Sequence, residues 1–157
     1  MARSRLTLAE LTALVPLDSL VAALAVVPDP RGTRARIDLT ATLALMVCAM
    51  LCGARSFHAV EQWTRAYGPA MARALGFRRP IAPSQGTLLN LFQRMGGGEF
   101  EAMLSWWARR QGVRDEDVAA LDPRELEGQH GARLPGIELV VAYLHHLNRG
   151  GERGTGA

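Results

Sequence analysis

Residues 39–54, LTATLALMVCAMLCGA, are the stretch that decides the fold class. The stretch carries no charged side chain, but it is shorter than the about 20 apolar residues that a membrane-spanning helix needs. Asp38 precedes it as a favourable helix N-cap, and Gly53 is a favourable helix end. The sequence therefore predicts a helix buried at the centre of a helical domain, and no membrane span.

Both cysteines of the chain, Cys48 and Cys52, lie inside this stretch and are four residues apart. Side chains on adjacent turns of one helix have poor geometry for a disulfide. We therefore expect two reduced thiols that serve as apolar side chains, as in a cytoplasmic protein. The N-terminal residues do not form a secretory signal, because Glu10, Pro16 and Asp18 interrupt their apolar stretch.

Helix signals continue on both sides of the central stretch. Thr7 and Glu10 have the spacing of a capping box, and Ser56 and Ser84 each precede an amphipathic run. Pro69 favours a helix start, so we expect a separate short helix over residues 69–75. With the remaining runs up to residue 111, the patterns predict six or seven short helices. We assign them to one helical domain over residues 1–114.

The pattern changes after residue 114. Residues 118–122, VAALD, and residues 137–144, IELVVAYL, are short apolar runs, and the second is rich in β-branched side chains. We expect them to be two strands of a β-hairpin within residues 115–146. Residues 147–157 show no apolar pattern, which predicts a disordered tail. The predicted fold class is mainly α, with a multi-helix N-terminal domain and a β-hairpin from the start of an α/β domain.

Charge is distributed unevenly along the chain. All 18 basic residues are arginine, and 14 of them lie in residues 1–114 together with only 7 acids. Residues 115–157 hold 4 arginines and 8 acids. The basic part is the candidate for a polyanionic partner, although an arginine-rich codon composition also explains the bias.

Two groups of residues in the basic part are candidate contacts to duplex DNA. Guanidinium groups contact phosphates without regard to sequence, and binding of this kind weakens with salt. Asn, Gln and Arg side chains can also read the edges of bases. The alternative interpretation of the helix after Ser84 is an ordinary polar outer face. The candidates are Arg31, Arg34 and Arg36 before the central helix, Arg78 and Arg79 before Ser84, and Gln85, Asn90, Gln93 and Arg94 on the following helix.

Three stretches together resemble the H-repeat-associated (ISAs-type) insertion-sequence transposases. They are residues 27–63, VPDPRGTRARIDLTATLALMVCAMLCGARSFHAVEQW, residues 83–95, PSQGTLLNLFQRM, and residues 118–143, VAALDPRELEGQHGARLPGIELVVAY. The resemblance implies an N-terminal transposase-associated domain followed by the start of an RNase H-like DDE catalytic domain.

The resemblance implies that Asp122 is the first of three catalytic carboxylates, which hold Mg²⁺ ions. Phosphodiester chemistry of this kind uses two metal ions, and one carboxylate cannot hold such a pair. The sequence also has Pro123 and Arg124 where the family has Gly-Lys, and it ends before the second Asp and the Glu. We therefore expect a truncated transposase that is inactive by itself, with a metal at Asp122 only if the missing partner residues are supplied.

Two functions are consistent with these features. The first is a module that binds or positions transposon-end DNA. The second is a non-enzymatic interaction or oligomerisation module that acts on another copy or on a full-length transposase. We expect the tryptophans of the helical part to be core or interface anchors rather than base-stacking platforms; they are Trp63, Trp106 and Trp107.

Overall fold

Helices make up nearly all the regular structure of this protein. The computed structural model describes residues 5–31, 38–77 and 82–155. The predicted mainly helical class is confirmed. In those ranges the helices are α1 (Leu8–Leu14), α2 (Leu17–Leu24), α3 (Leu39–Leu51), α4 (Phe57–Ala74), α5 (Gln85–Met95), α6 (Gly98–Arg110), α7 (Asp115–Ala119), α8 (Pro123–Leu126) and α9 (Ile137–Thr155), with a 3-10 turn at Gln129–Gly131.

Helix α3 is the centre of the core, as the sequence predicted. All of its residues except Thr40 are buried, and it contacts α2, α4 and α9. The Asp38 carboxylate caps it by accepting the backbone N–H of Ala41 at 3.0 Å. The one buried polar side chain of α3, Thr42, donates its hydroxyl to the Asp38 carbonyl at 2.8 Å. In the described part of the chain, no helix is long and apolar enough to cross a membrane.

The two cysteines are free, as predicted. Cys48 is fully buried in α3 and Cys52 is partly buried at its end. Burial raises the pKa of the Cys48 thiol far above its usual value, and it raises the pKa of Cys52 to about 11. Both thiols are therefore protonated and apolar in character at neutral pH.

The predicted helix starts at Thr7, Ser56 and Ser84 are confirmed by hydrogen bonds. Thr7 and Glu10 form the reciprocal capping box, while the Ser56 and Ser84 hydroxyls each accept the N–H three residues later. The separate helix expected from Pro69 is wrong, because α4 runs without a break through that residue. Pro69 lies on the exposed side of α4. There water can bind the carbonyl that the proline leaves without an N–H partner.

The predicted β-hairpin is wrong. In the described ranges the chain forms no strand, and the one ladder contact is an isolated antiparallel bridge between Glu127 and Arg133. Residues 118–122 end α7 and lead into α8, and residues 137–144 are the first turns of α9. Ile137, Val140, Val141 and Leu144 recur at helical spacing and are all buried. The backbone of α9 continues to Thr155, through most of the segment for which a disordered tail was predicted.

Helix α9 closes the core formed by the preceding helices. It contacts α3, α6, α7 and α8. The Tyr143 ring meets the Trp107 ring edge-on with 4.9 Å between centroids, and the Trp107 indole N–H donates to the Ser19 hydroxyl at 2.9 Å. Burial raises the pKa of the Tyr143 phenol to about 12. Three sequence-distant helices, α2, α6 and α9, are thus joined around one tryptophan.

Arg55 joins the end of α3 to the segment that leads to α9. Its guanidinium donates to the carbonyl oxygens of Glu125, Met50 and Ala54 at 2.8, 2.9 and 2.9 Å. Desolvation by burial lowers the pKa of Arg55. A Cβ at Gly128 would lie 2.4 Å from the Arg55 carbonyl oxygen, so only glycine allows this close approach of the two backbones.

Candidate nucleic-acid interface

Arg31 lies across an open groove from the polar face of α5. The groove has a volume of about 570 Å³ and is lined by Arg31, Thr87, Asn90, Leu91, Gln93 and Arg94. Four of the predicted DNA-contact residues therefore meet at one place, although they come from two separate groups in the sequence. The described lining residues carry two guanidinium groups, two amides and one hydroxyl, and the Asp29 carboxylate is bonded to one of these guanidinium groups.

Asp29 holds Arg31 at the wall of this groove. The Asp29 carboxylate accepts the backbone N–H of Arg31 at 2.9 Å, and its two oxygens accept from Arg31 Nε and Nη2 at 3.0 and 3.1 Å. The hydrogen bond from the Arg31 side chain lowers the pKa of Asp29. A phosphate that approached the Nε edge of Arg31 would have to share or displace this carboxylate, because both bind the guanidinium fork in the same way.

Helix α5 is fixed so that its polar face points outward. Leu88, Leu91 and Phe92 are buried on its inner side, and the Phe92 ring stacks on Phe57 with 5.8 Å between centroids. At the start of the helix, the backbone N–H of Gln85 donates to Glu61 Oε1 at 3.0 Å. The packing against α4 thus orients the whole helix. The predicted contact residues of α5 are all exposed: Gln85, Asn90, Gln93 and Arg94.

Of the five remaining predicted DNA contacts, one lies in the described part of the chain. Gln85 is exposed at the start of α5 and is not among the residues that line the groove. The other four lie outside the described residues, so their contribution stays a prediction; they are Arg34, Arg36, Arg78 and Arg79. In the sequence, Arg34 and Arg36 closely follow Arg31, and Arg79 is five positions before Ser84.

Asp122, the predicted catalytic acid, is an exposed helix cap. Its carboxylate accepts the backbone N–H of Arg124 at 3.0 Å at the start of α8. The nearby Glu125 carboxylate is paired with His145, with 2.7 Å between Oε2 and Nε2. Among the described residues, no group of three or more His, Cys, Asp or Glu side chains could hold a metal ion. The donors around Asp122 therefore do not fit a pair of Mg²⁺ ions, which needs several converging carboxylates.

Sequence reasoning did not identify two residues that shape this surface. Asp29 was missed, although an Asp two residues before an Arg with a proline between them is a recognisable turn pattern in which the carboxylate accepts the later N–H. Leu89 was also missed, and its side chain is 45% exposed on α5 beside Asn90. A large apolar side chain on an otherwise polar face can be noted from sequence, but its exposure depends on the packing of α5.

A second exposed feature lies on α6. Trp106 is 50% exposed, and the Arg110 guanidinium lies 4.9 Å from the centre of its ring. Its neighbour Trp107 is buried, as predicted for a core anchor. Leu14 and Val26 are also exposed apolar side chains in the described part of the chain. Trp106 and Arg110 are of the side-chain types that protein partners often bury.

One of three comparisons with known proteins found a match. Residues 21–108, more than half of the chain, match the family model described as DDE_Tnp_1-associated. The matched range includes Arg31, α3 and the whole of α5. No curated protein and no solved structure matched the chain.

Proposed function

The chain belongs to the DDE_Tnp_1-associated family, the N-terminal transposase-associated domain of DDE transposases, and from this premise we propose that it binds duplex DNA through the groove between Arg31 and α5. The observation that carries the proposal is the meeting of Arg31, Asn90, Gln93 and Arg94 around one groove. In a transposase-related protein, duplex DNA is the polyanion that such a surface would meet.

The chemistry of the groove suits a sugar–phosphate strand. Arg31 and Arg94 provide two guanidinium groups at the groove, a group that binds phosphates through two parallel hydrogen bonds, and at Arg31 a phosphate would share the guanidinium with Asp29. Thr87, Asn90 and Gln93 add uncharged donors beside them. Because phosphate binding releases counterions from the duplex, binding at this groove weakens steeply as salt is added.

In this proposal the chain holds and positions DNA and does not cut it. Asp122 caps α8, and the neighbouring Glu125 carboxylate is engaged by His145. Neither arrangement supplies the set of carboxylates that phosphodiester chemistry with two metal ions needs. Strand cleavage and joining are the work of a DDE catalytic domain, and the role of this chain is to present the DNA to such a domain.

The test is fluorescence anisotropy of a labelled duplex titrated with the full chain at two salt concentrations. We expect Arg94→Ala to weaken binding about tenfold, as expected for the loss of one arginine contact to DNA. Arg73→Ala is the matched control, because Arg73 is an exposed arginine on α4 that does not line the groove. Absence of binding at low salt, or an equal loss in both variants, would contradict the proposal.

A second function, association with another protein chain, is favoured by the surface around Trp106. Tryptophan and arginine are common among the residues that dominate protein interfaces, and here Arg110 lies over a half-exposed Trp106. If this surface joins two copies, sedimentation of the full chain will show a concentration-dependent dimer that Trp106→Ala abolishes. A monomer at every concentration would contradict self-association through this surface.

A further inference from the structure

We propose that α5 reads base sequence from the major groove of duplex DNA, with Asn90, Gln93 and Arg94 as the reading side chains and Leu89 as a contact to a thymine methyl group. The inference rests on the proposed DNA binding and deepens it. The expected ligand is then a duplex that contains a particular short sequence, rather than any duplex.

The composition of the exposed face of α5 is the first support. No residue of α5 is acidic, so this face lacks the pairs of opposite charges that often stabilise an exposed helix. Its exposed side chains are instead three amides, one guanidinium and a leucine that is 45% exposed; they are Gln85, Leu89, Asn90, Gln93 and Arg94. These are the side-chain types that match the donors, acceptors and methyl groups of base edges.

The spacing of these residues is the second support. Asn90 and Arg94 are four residues apart, and Leu89 and Gln93 are also four apart, so the two pairs lie side by side along one face. At a rise of 1.5 Å for each residue, positions 89–94 span roughly 7.5 Å. Base pairs repeat every 3.4 Å along each strand, so this face covers about two to three consecutive base pairs.

The chemistry assigns a base to each reading residue. The Asn90 and Gln93 amides can each bind an adenine through a donor and an acceptor, and the Arg94 guanidinium can bind a guanine through two donors. A leucine side chain offers no hydrogen bond but contacts the methyl group that marks thymine. We therefore expect a recognised sequence in which adenine and guanine fall at adjacent or next-adjacent positions.

The rigid mounting of α5 is the third support, because reading bases requires a helix held in one orientation. The Ser84 hydroxyl accepts the Thr87 N–H at 3.1 Å, and Glu61 from α4 accepts the Gln85 N–H at 3.0 Å. On the buried side, the Phe92 ring lies between Phe57 and Phe100, with centroid distances of 5.8 and 5.5 Å. The helix is thus fixed at its start and along its length.

Arg31 has a different role in this arrangement. It lies on the other wall of the groove and belongs to the loop after α2 rather than to α5. From there its guanidinium can bind a phosphate beside the bases that α5 reads. Such a contact sets the register of the helix on the duplex without adding sequence preference.

The experiment is selection of duplexes from a randomised pool by the full chain, followed by anisotropy measurements on the selected and a scrambled duplex. We expect an enriched sequence that contains adjacent or next-adjacent A and G, bound at least tenfold more tightly than the scrambled duplex. Asn90→Ala should lose the preference for A, and Arg94→Ala should lose the preference for G, because alanine has no side-chain group that can hydrogen-bond to a base edge. Arg31→Ala should weaken binding to both duplexes by the same factor.

Failure of this inference is distinguishable from failure of the proposed function. Salt-sensitive binding without any enriched sequence would overturn base reading and leave the DNA-binding function in place. Absence of binding to any duplex would overturn both. If no duplex binds and Leu89→Ala dissociates an oligomer of the full chain, the exposed face of α5 is a contact between protein chains. Thermal melting of each variant by circular dichroism checks that the substitutions of exposed residues leave the fold intact.

Discussion

At the scale of single residues, Gly136 meets two separate requirements at the start of α9. Its φ is +74°, a left-handed conformation that other residues adopt at a cost. A Cβ there would also lie 2.8 Å from Leu104 Cδ2 and 3.1 Å from Phe100 Cε2 of α6. Gly131 has the same φ of +74°, but a Cβ on it would meet no atom within 4 Å. A substitution at Gly131 therefore tests the backbone strain alone, whereas a substitution at Gly136 tests backbone strain together with steric overlap.

We predict that Gly136→Ala destabilises the protein more than Gly131→Ala does. The backbone cost is about 1–2 kcal/mol in either variant, and Gly136→Ala adds roughly 1–3 kcal/mol for forcing a methyl group into a packed core. Urea unfolding followed by far-ultraviolet circular dichroism measures both. Equal losses in the two variants would mean that Leu104 and Phe100 move aside without cost.

Asp29 gives a prediction about pH and DNA affinity. The Arg31 hydrogen bond lowers the pKa of Asp29, so this carboxylate stays ionised until the pH falls below the usual carboxyl range. The ion pair with Arg31 is therefore present above the ordinary carboxyl pKa and is lost as the pH falls through the lowered one. We predict that Asp29→Asn strengthens DNA binding severalfold at neutral pH, because it removes a negative charge that competes with phosphate for the Arg31 guanidinium and repels phosphate.

The control for Asp29 is Asp18→Asn, which makes the same charge change at an exposed position in the first turn of α2. Anisotropy titrations of both variants at one ionic strength make the comparison. An equal gain in both would assign the effect to net charge. A loss of affinity in Asp29→Asn would mean that the carboxylate chiefly holds Arg31 in position for DNA.

At the scale of secondary-structure elements, the residues at which helices begin could be predicted from the sequence, but the helices against which each one packs could not. Each helix cap forms between a side chain and a backbone N–H only three residues later, so the local sequence is enough to predict it. The capping residues are Thr7, Asp38, Ser56 and Ser84. The apolar run at 137–144 has no such local signal. A continuous apolar run is compatible with a buried helix or a buried strand, and its packing against α3 and α6 decides between them.

In the candidate site, too, local features could be predicted from the sequence and contacts between distant elements could not. The polar face of α5 could be predicted from residue type and spacing, and Arg31 could be selected as a candidate contact because it lies in a basic segment. The groove that joins them depends on how the loop after α2 packs near α5, and no local pattern contains that contact. The bond between Asp29 and Arg31 was accessible from sequence, whereas the exposure of Leu89 required the orientation of α5.

We predict that Leu144→Ala on α9 destabilises the protein by about 2–5 kcal/mol, since it removes a buried leucine from a closed core. Leu147→Ala is the control, because Leu147 is only partly buried on the next turn and should cost less than half as much. Denaturant unfolding gives both values. Similar small losses would show that α9 does not contribute to the core in solution.

At the scale of the whole molecule, the change in charge near Arg114 is not a break in packing. The acidic helix α7 is linked to the basic part by the ion pair between Arg109 and Asp115, and Arg149 of α9 donates to Asp117 at 2.8 Å. Buried residues of α9 belong to the same cluster as those of α2, α3 and α6. The difference in charge between residues 1–114 and residues 115–157 is therefore a property of the surface, whereas one hydrophobic core includes residues from both parts.

We therefore predict that residues 1–114 alone do not fold as the full chain does. Removal of α9 exposes the faces of α3 and α6 on which it packs, including Trp107. The shortened chain should bind the dye ANS and lose its near-ultraviolet circular dichroism signal, while the full chain keeps that signal. A sharp melt of residues 1–114 at the temperature of the full chain would contradict this. The DNA-binding experiments accordingly use the full chain.

Because α3 is buried on nearly every side, the hydrogen-exchange rate of its backbone amides reports the stability of the whole molecule. Its backbone amides can exchange hydrogen for deuterium only when the surrounding helices part, so they should be the slowest to exchange and should report the free energy of global unfolding. Any ligand that binds only the folded chain must slow that exchange by the factor by which it stabilises the fold. Mass spectrometry of one core peptide would thus measure affinity for any DNA, or for any partner, without a fluorescent label on either molecule.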